Sequence, residues 1–295
     1  MTNRDDVREF LSSRRAKVSP EMVGLPSVGP RRVPGLRRGE VATVAGVSVE
    51  YYTKLERGDL RGVSDEVVEA IAGALRLDAA ERSHLVDLAR TANAGTRARR
   101  RPAPRTSLRP SLRHLVDSIT TGAAVLGNLR GDVVATNELA RALYDPVYRA
   151  QPEPLSFPRF TFFDPAAREF YPDWDEIADS SVASLRTIAG RHPFDKAITD
   201  LVGELSTRSE EFRTRWARHD VRLHIEGIKR MRHPVVGLLE LEYNTLGLPG
   251  DEGLGMTVYT AAPGSEAQEK LDLLASWWAS EKAARTPGAT TASDR

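Results

Sequence analysis

A five-helix, all-α domain followed by an α+β domain with one antiparallel sheet is the architecture this 295-residue sequence predicts. Three observations predict it. Residues 38–57 set a glycine and a serine between two short stretches with apolar faces, the chemistry of a tight turn between helices. Segments beyond residue 120 change to period-two alternation, the mark of half-buried strands. Between the two lies Asn93–Arg113, with seven arginines, three prolines and almost nothing apolar, which cannot build a core of its own. The expected divisions are a helical domain over residues 1–92, a basic linker over 93–110, an α+β domain over 111–263, a closing helix over 264–284 and a disordered tail over 285–295.

The helices follow in order. Val7, Phe10 and Leu11 mark one apolar face near the N-terminus. Val41, Val44 and Ala45 fall on one face of a second helix, and Tyr52 and Leu55 on one face of a third. Gly46 stands where the second helix must end with positive φ, and Ser48 stands where the third needs an N-cap oxygen. Val47 plugs the angle, and Ala42 is small where the helices cross. Ser64 caps a helix carrying Val67, Val68, Ile71 and Leu75, while Asp78 and Glu81 have capping-box spacing before Leu85 and Leu88. The second and third helices together meet the demands of a helix-turn-helix.

Glu50, Thr53, Lys54 and Arg57 recur at i, i+3, i+4 and i+7, an exposed stripe on the third helix. The second helix of such a motif presents its N-terminal residues to base edges in the major groove. That surface is Val49, Glu50, Tyr51, Thr53 and Lys54, entered through the cap Ser48. Glu50 suits a cytosine amino group and Val49 a thymine methyl. Arg37, Arg38 and Arg57 suit phosphates, with Arg31 and Arg32 as weaker candidates. Charge agrees: residues 1–110 hold 21 basic and 14 acidic side chains, so the net charge of +1 hides a basic first part and an acidic remainder. A plain solvated helix face competes with this account, and the turn chemistry weighs against it. The expected partner is double-stranded DNA, and a homodimer is expected because paired half-sites raise specificity.

In the second domain, Ala123–Ala135 reads as a hairpin turning at Arg130-Gly131-Asp132. Asn137 opens a short helix, longer helices are expected over Pro165–Ala189 and Asp195–Arg218, and strands over Arg222–Met231, Val235–Tyr243 and Met256–Ala261. Leu239, Leu241 and Tyr243 alternate with Glu240 and Glu242, which predicts a sheet wet on one side and covered by helices on the other. A gap between those layers would be walled by Phe160, Phe163, Phe170, Trp174, Leu185, Trp216 and Leu241. Taken singly, each is better accounted for as ordinary core, since burying one contributes roughly 1.5–3 kcal/mol to folding. Asn137, His219 and Arg232 are the candidate polar anchors, although His219 beside Asp220 is better read as a structural hydrogen bond. Ser265–Ala283 reads as an amphipathic helix with Leu271, Leu274, Ala275 and Trp278 on one face; an exposed Trp277 or Trp278 would serve a dimer surface.

Several classes are disfavoured. The chain has no cysteine, so disulfide frameworks, thiolate zinc sites and cysteine nucleophiles are excluded together. No apolar run approaches the roughly 18–20 residues of a membrane span. The expectation is a soluble cytoplasmic protein, on the nucleoid when bound to DNA. The six histidines show no metal-ligand spacing, and neither a nucleophile elbow nor a Gly-rich phosphate loop is found. Asp173, Asp175 and Glu176 read as compensation of a helix dipole. No catalytic residue, metal or cofactor is expected.

The stretch RRVPGLRRGEVATVAGVSVEYYTKLERG resembles the Cro/CI-type (XRE) helix-turn-helix family, and more narrowly its actinobacterial members related to MmyB-like regulators. VVATNELARAL, FFDPAAREFYPDW, ELSTRSEEFRTRWARHDV and HPVVGLLELEY resemble the ligand-binding domain of those regulators, which is PAS-like. The match spans roughly residues 110–263. Thr136 departs from it, since the family's pattern has Trp before the asparagine. The resemblance implies a transcription regulator with a hydrophobic small-molecule site, a fatty acid being the precedent. The alternative is a constitutive DNA-binding protein whose second domain is a protein–protein interaction module.

Overall fold

The computed structural model describes residues 3–26, 35–93, 108–218, 220, 226–248, 251 and 253–285. Arg31, Arg32, His219, most of the expected linker and the expected tail lie outside the described residues. Five helices come first: α1 (Asn3–Lys17), α2 (Arg38–Ala45), α3 (Val49–Glu56), α4 (Asp65–Ala74) and α5 (Ala79–Asn93). Then follow α6 (Pro110–Ser118), strands β1 (Ala123–Asn128) and β2 (Val133–Thr136), and α7 (Glu138–Leu143), α8 (Asp145–Ala150), α9 (Phe157–Phe163) and α10 (Ala166–Phe170). The chain continues with α11 (Trp174–Arg191), α12 (Lys196–Arg208) and α13 (Glu210–Trp216). It closes with β3 (Glu226–His233), β4 (Gly237–Gly247), β5 (Leu254–Thr260) and α14 (Glu266–Arg285).

Two compact units result, one of Met1–Ala103 with Ala178–Leu223, the other of Pro104–Ile177 with His224–Arg295. Sequence reasoning keeps 111–263 together; the structure draws its division inside α11. In the first unit, Val7, Phe10 and Leu11 of α1 meet Val41, Ala42, Tyr52, Leu55, Ile71, Leu85 and Leu88 in one core. Ser64 Oγ accepts the Val67 N–H at 3.4 Å, and Asp78 and Glu81 cap each other's backbone at 2.8 and 3.0 Å, as their spacing requires. Ion pairs join the returning segment to this core, Arg191 of α11 to Asp87 at 2.6 Å and Asp220, beyond α13, to buried Arg14 at 3.2 Å, while Arg14 also ties α1 to Glu81 of α5 at 3.2 Å. Arg186 stacks 4.1 Å from the Trp216 ring, and burial lowers its pKa to about 10.

In the second unit the sheet order is β2-β1-β5-β4-β3, antiparallel throughout. Leu239, Leu241 and Tyr243 are buried while Glu240 and Glu242 are exposed, as the alternation predicts. The far face is only half wet, because α6 covers Ala124, Leu126 and Met256 with Leu112 and Val116. Both long helices expected between residues 165 and 218, the second of them wholly in the first unit, are interrupted. Pro172 biases Tyr171 to extended backbone (φ −106°, ψ 100°), ending α10 before α11 begins. Ser209 is extended as well and caps α13, its hydroxyl accepting the Phe212 N–H at 3.1 Å.

Three expectations on faces are corrected. Val44 is 38% exposed, leaving Val41, Ala42 and Ala45 as the buried face of α2. In α14, Leu271 and Leu274 are buried but Ala275 is exposed. Neither Trp277 nor Trp278 stands free: Trp278 donates to Glu138 at 2.8 Å, and Trp277 meets the His233 ring edge-on.

Candidate functional site

The turn between α2 and α3 is built by three consecutive residues. Gly46 adopts φ 67° and its N–H reaches the Thr43 carbonyl at 3.3 Å, closing α2 from the left-handed region that costs glycine nothing. Val47 is half-buried against the core and its N–H returns to the Ala42 carbonyl at 3.0 Å. Ser48 is extended (φ −71°, ψ 152°), and its hydroxyl accepts the Tyr51 N–H at 3.1 Å, satisfying one orphan donor of α3. Tyr52 and Leu55 face inward, so the opposite side of α3 faces solvent.

On that side Ser48, Val49, Glu50, Lys54 and Arg57 are exposed, with Val49 at 44%. Thr53 is half-buried, and Tyr51 divides itself between surface and core. Val49, Glu50, Thr53, Lys54 and Arg57 line one open hollow of about 370 Å³, together with Arg4 and Asp59. Arg4 is a residue sequence reasoning missed. It reaches this surface because Gly58 (φ 93°) lets the start of α1 approach; a Cβ there would lie 2.2 Å from the Arg4 carbonyl oxygen. Asp59 is engaged by Arg61 at 2.9 Å, which holds its carboxyl down at about 2, and Lys54 stands 3.8 Å away.

The orientation of α3 is set by a second missed residue. Glu56, 2% exposed at the end of α3, accepts two hydrogen bonds from Arg15 of α1, both at 2.9 Å. It accepts two more from Arg38 at the start of α2, at 3.2 and 3.0 Å. Burial alone would raise the Glu56 pKa, but the two guanidinium groups outweigh it and hold the carboxylate below its ordinary value. Arg38 thus spends two donors inside the protein, whereas Arg37, the N-cap of α2, is exposed and engaged through its backbone, its N–H donating to Glu40 at 2.6 Å and its carbonyl accepting from Val41 at 3.1 Å. The Arg15–Glu56 pair links residues 41 positions apart, which no local pattern reveals.

The candidate ligand residues fall in both units. Leu185 and Trp216 belong to the first unit; Asn137, Phe160, Phe163, Phe170, Trp174, Arg232 and Leu241 belong to the second. Phe160 and Phe170 form an edge-to-face pair at 6.1 Å, Phe163 is half-buried and Leu241 is fully buried. Trp174 donates to the Thr161 carbonyl at 3.0 Å beneath the Arg168 guanidinium. Asn137 accepts from Ala124 and Ala140 and donates to the Ile119 and Gly122 carbonyls. Its four hydrogen-bonding positions are filled, so it pins α7 to β1 and has no capacity left for a ligand. Arg232 is exposed on the edge strand.

A capped turn, a solvent-facing helix and a buried clamp behind it define the class: a helix-turn-helix domain, whose family model matches residues 8–85. The model of the MmyB-like transcription regulator ligand binding domain matches residues 108–274, more than half of the chain. The chain therefore belongs to the MmyB-like transcription regulators, DNA-binding proteins that carry a ligand-binding domain. No curated protein matches it. Among the described residues no helix is long and apolar enough to cross a membrane.

Proposed function

We propose that the chain is a sequence-specific DNA-binding regulator controlled by a small apolar, fatty-acid-like molecule held in a PAS-like second domain. The observation that carries this reading is the exposed face of α3, held outward by the Ser48 cap and the Glu56 clamp. Val49, Glu50, Tyr51, Thr53 and Lys54 read base edges there, while Arg37 and Arg57, with the donors of Arg38 that Glu56 leaves over, take phosphates. Arg4 extends the cationic rim. Two copies bind two half-sites as a homodimer, and the ligand shifts the balance between two arrangements of the DNA-binding heads, for which its affinities differ. The protein works on the nucleoid in the cytoplasm and catalyses nothing itself.

Protein purified from cells, denatured and extracted into organic solvent, yields a fatty acid or similar lipid by mass spectrometry. A panel of saturated fatty acids then raises the unfolding temperature; ligand at one hundred times its Kd stabilises by about 2.7 kcal/mol. An extract without lipid and a panel without any shift contradict the ligand reading. They favour a second domain that meets another protein.

A further inference from the structure

Lysine is the exception on the helix-covered face of the sheet. Lys229 of edge strand β3 stands opposite Leu241, and its neighbour in the same row, Met231, stands opposite Leu239. Those three apolar partners are fully buried. The Lys229 ammonium lies 5.8, 5.6 and 5.5 Å from the ring centroids of Tyr171, Tyr243 and Tyr259. It also donates to the Tyr259 hydroxyl oxygen at 3.4 Å. Gly227 shapes this enclosure, since a Cβ there would come within 3.1 Å of the Tyr243 ring.

The donors in this cluster outnumber the acceptors. An ammonium carries three protons and accepts nothing; each phenol brings one more. Lys229 has no carboxylate partner among the described residues, and Tyr259 has accepted from Lys229 and still holds its own proton. Tyr144 lies beside it, ring centroids 5.9 Å apart and 1% exposed, its buried hydroxyl turned to that of Tyr259. A single positive charge flanked by phenol donors calls for one negative charge spread over acceptor oxygens. The rest of the wall is apolar, Leu241, Met231 and Phe170 among it, so whatever carries that charge is otherwise apolar. A phosphate dianion would need further cations that the cluster lacks.

We propose that Lys229, with the hydroxyls of Tyr259 and Tyr144, receives the carboxylate of an apolar monocarboxylic acid. The proposal rests on the reading of the second unit as a small-molecule domain and adds the group that selects acid from neutral lipid. The test titrates the full-length protein with decanoate and with decanol by calorimetry. Wild type prefers the acid by about tenfold or more, the range of a charge-assisted contact. Lys229→Met, whose side chain fills the same ring-lined space, brings the ratio close to one, and Tyr259→Phe reduces it severalfold, with unchanged circular dichroism in both. A Lys229→Met protein that keeps the wild-type ratio overturns the proposal and leaves the apolar-ligand reading standing. If that variant also self-associates, Lys229 is only a guard of the sheet edge. Wild type binding neither compound overturns the proposal together with the reading on which it rests.

Discussion

Glu56 and His233 show the same economy at the scale of single residues: each is buried, and each is held in one ionisation state by its neighbours. Two arginines keep Glu56 charged. His233, 1% exposed, is kept neutral, its Nε2 3.2 Å from the Ala142 carbonyl and its Nδ1 accepting the Val235 N–H at 3.2 Å. That pair of partners requires the tautomer protonated at Nε2 and leaves no room for a second proton. Burial lowers the pKa of His233 below its ordinary 6.5. The unfolded chain therefore takes up the proton first as pH falls, so stability is complete above 6.5 and declines below it. Unfolding temperatures of wild type between about pH 7 and pH 5 should fall more steeply than those of His233→Gln. Equal slopes would place the pH sensitivity elsewhere.

Elements were legible in the sequence where the determinants are local. The α2–α3 turn depends on Gly46, Val47 and Ser48 alone, and the start of α5 on Asp78 and Glu81, so spacing suffices. Alternation in LLELEY likewise assigned inside and outside to β4. What stayed hidden depends on partners distant in sequence. The clamp joins Glu56 to residues of two other helices, and Lys229 shows itself only when β3, β4 and β5 are in register. Helix breaks at Tyr171 and Ser209 were missed because apolar periodicity continues through them, although Pro172 was a signal for the first. The two turn glycines separate these cases. Gly46 has nothing within 4 Å of a built Cβ, whereas Gly58 has the Arg4 backbone at 2.2 Å. Gly46→Ala should therefore cost about 1 kcal/mol, the strain of positive φ alone. Gly58→Ala should cost over ~2 kcal/mol, because the start of α1 must move. Urea unfolding of both variants measures the order; an equal cost would mean that α1 does not press on the end of α3.

For the whole molecule, the charge split acquires a location. The basic end belongs to the unit that carries α3, and the unit built on the sheet holds the inward lysine and its tyrosines. DNA affinity should then be mainly phosphate-driven and fall steeply with salt, while sequence preference comes from a few side chains on α3. These contributions separate experimentally, because losing one phosphate contact lowers the salt slope by about one without altering preference. Selection of bound duplexes from a random pool, run with wild type, Arg57→Ala and the double variant Thr53→Ala, Lys54→Ala, tests the central claim most directly. The double variant should recover a different or degenerate site while Arg57→Ala recovers the wild-type site more weakly. A double variant that still selects the wild-type sequence would show that α3 does not read DNA.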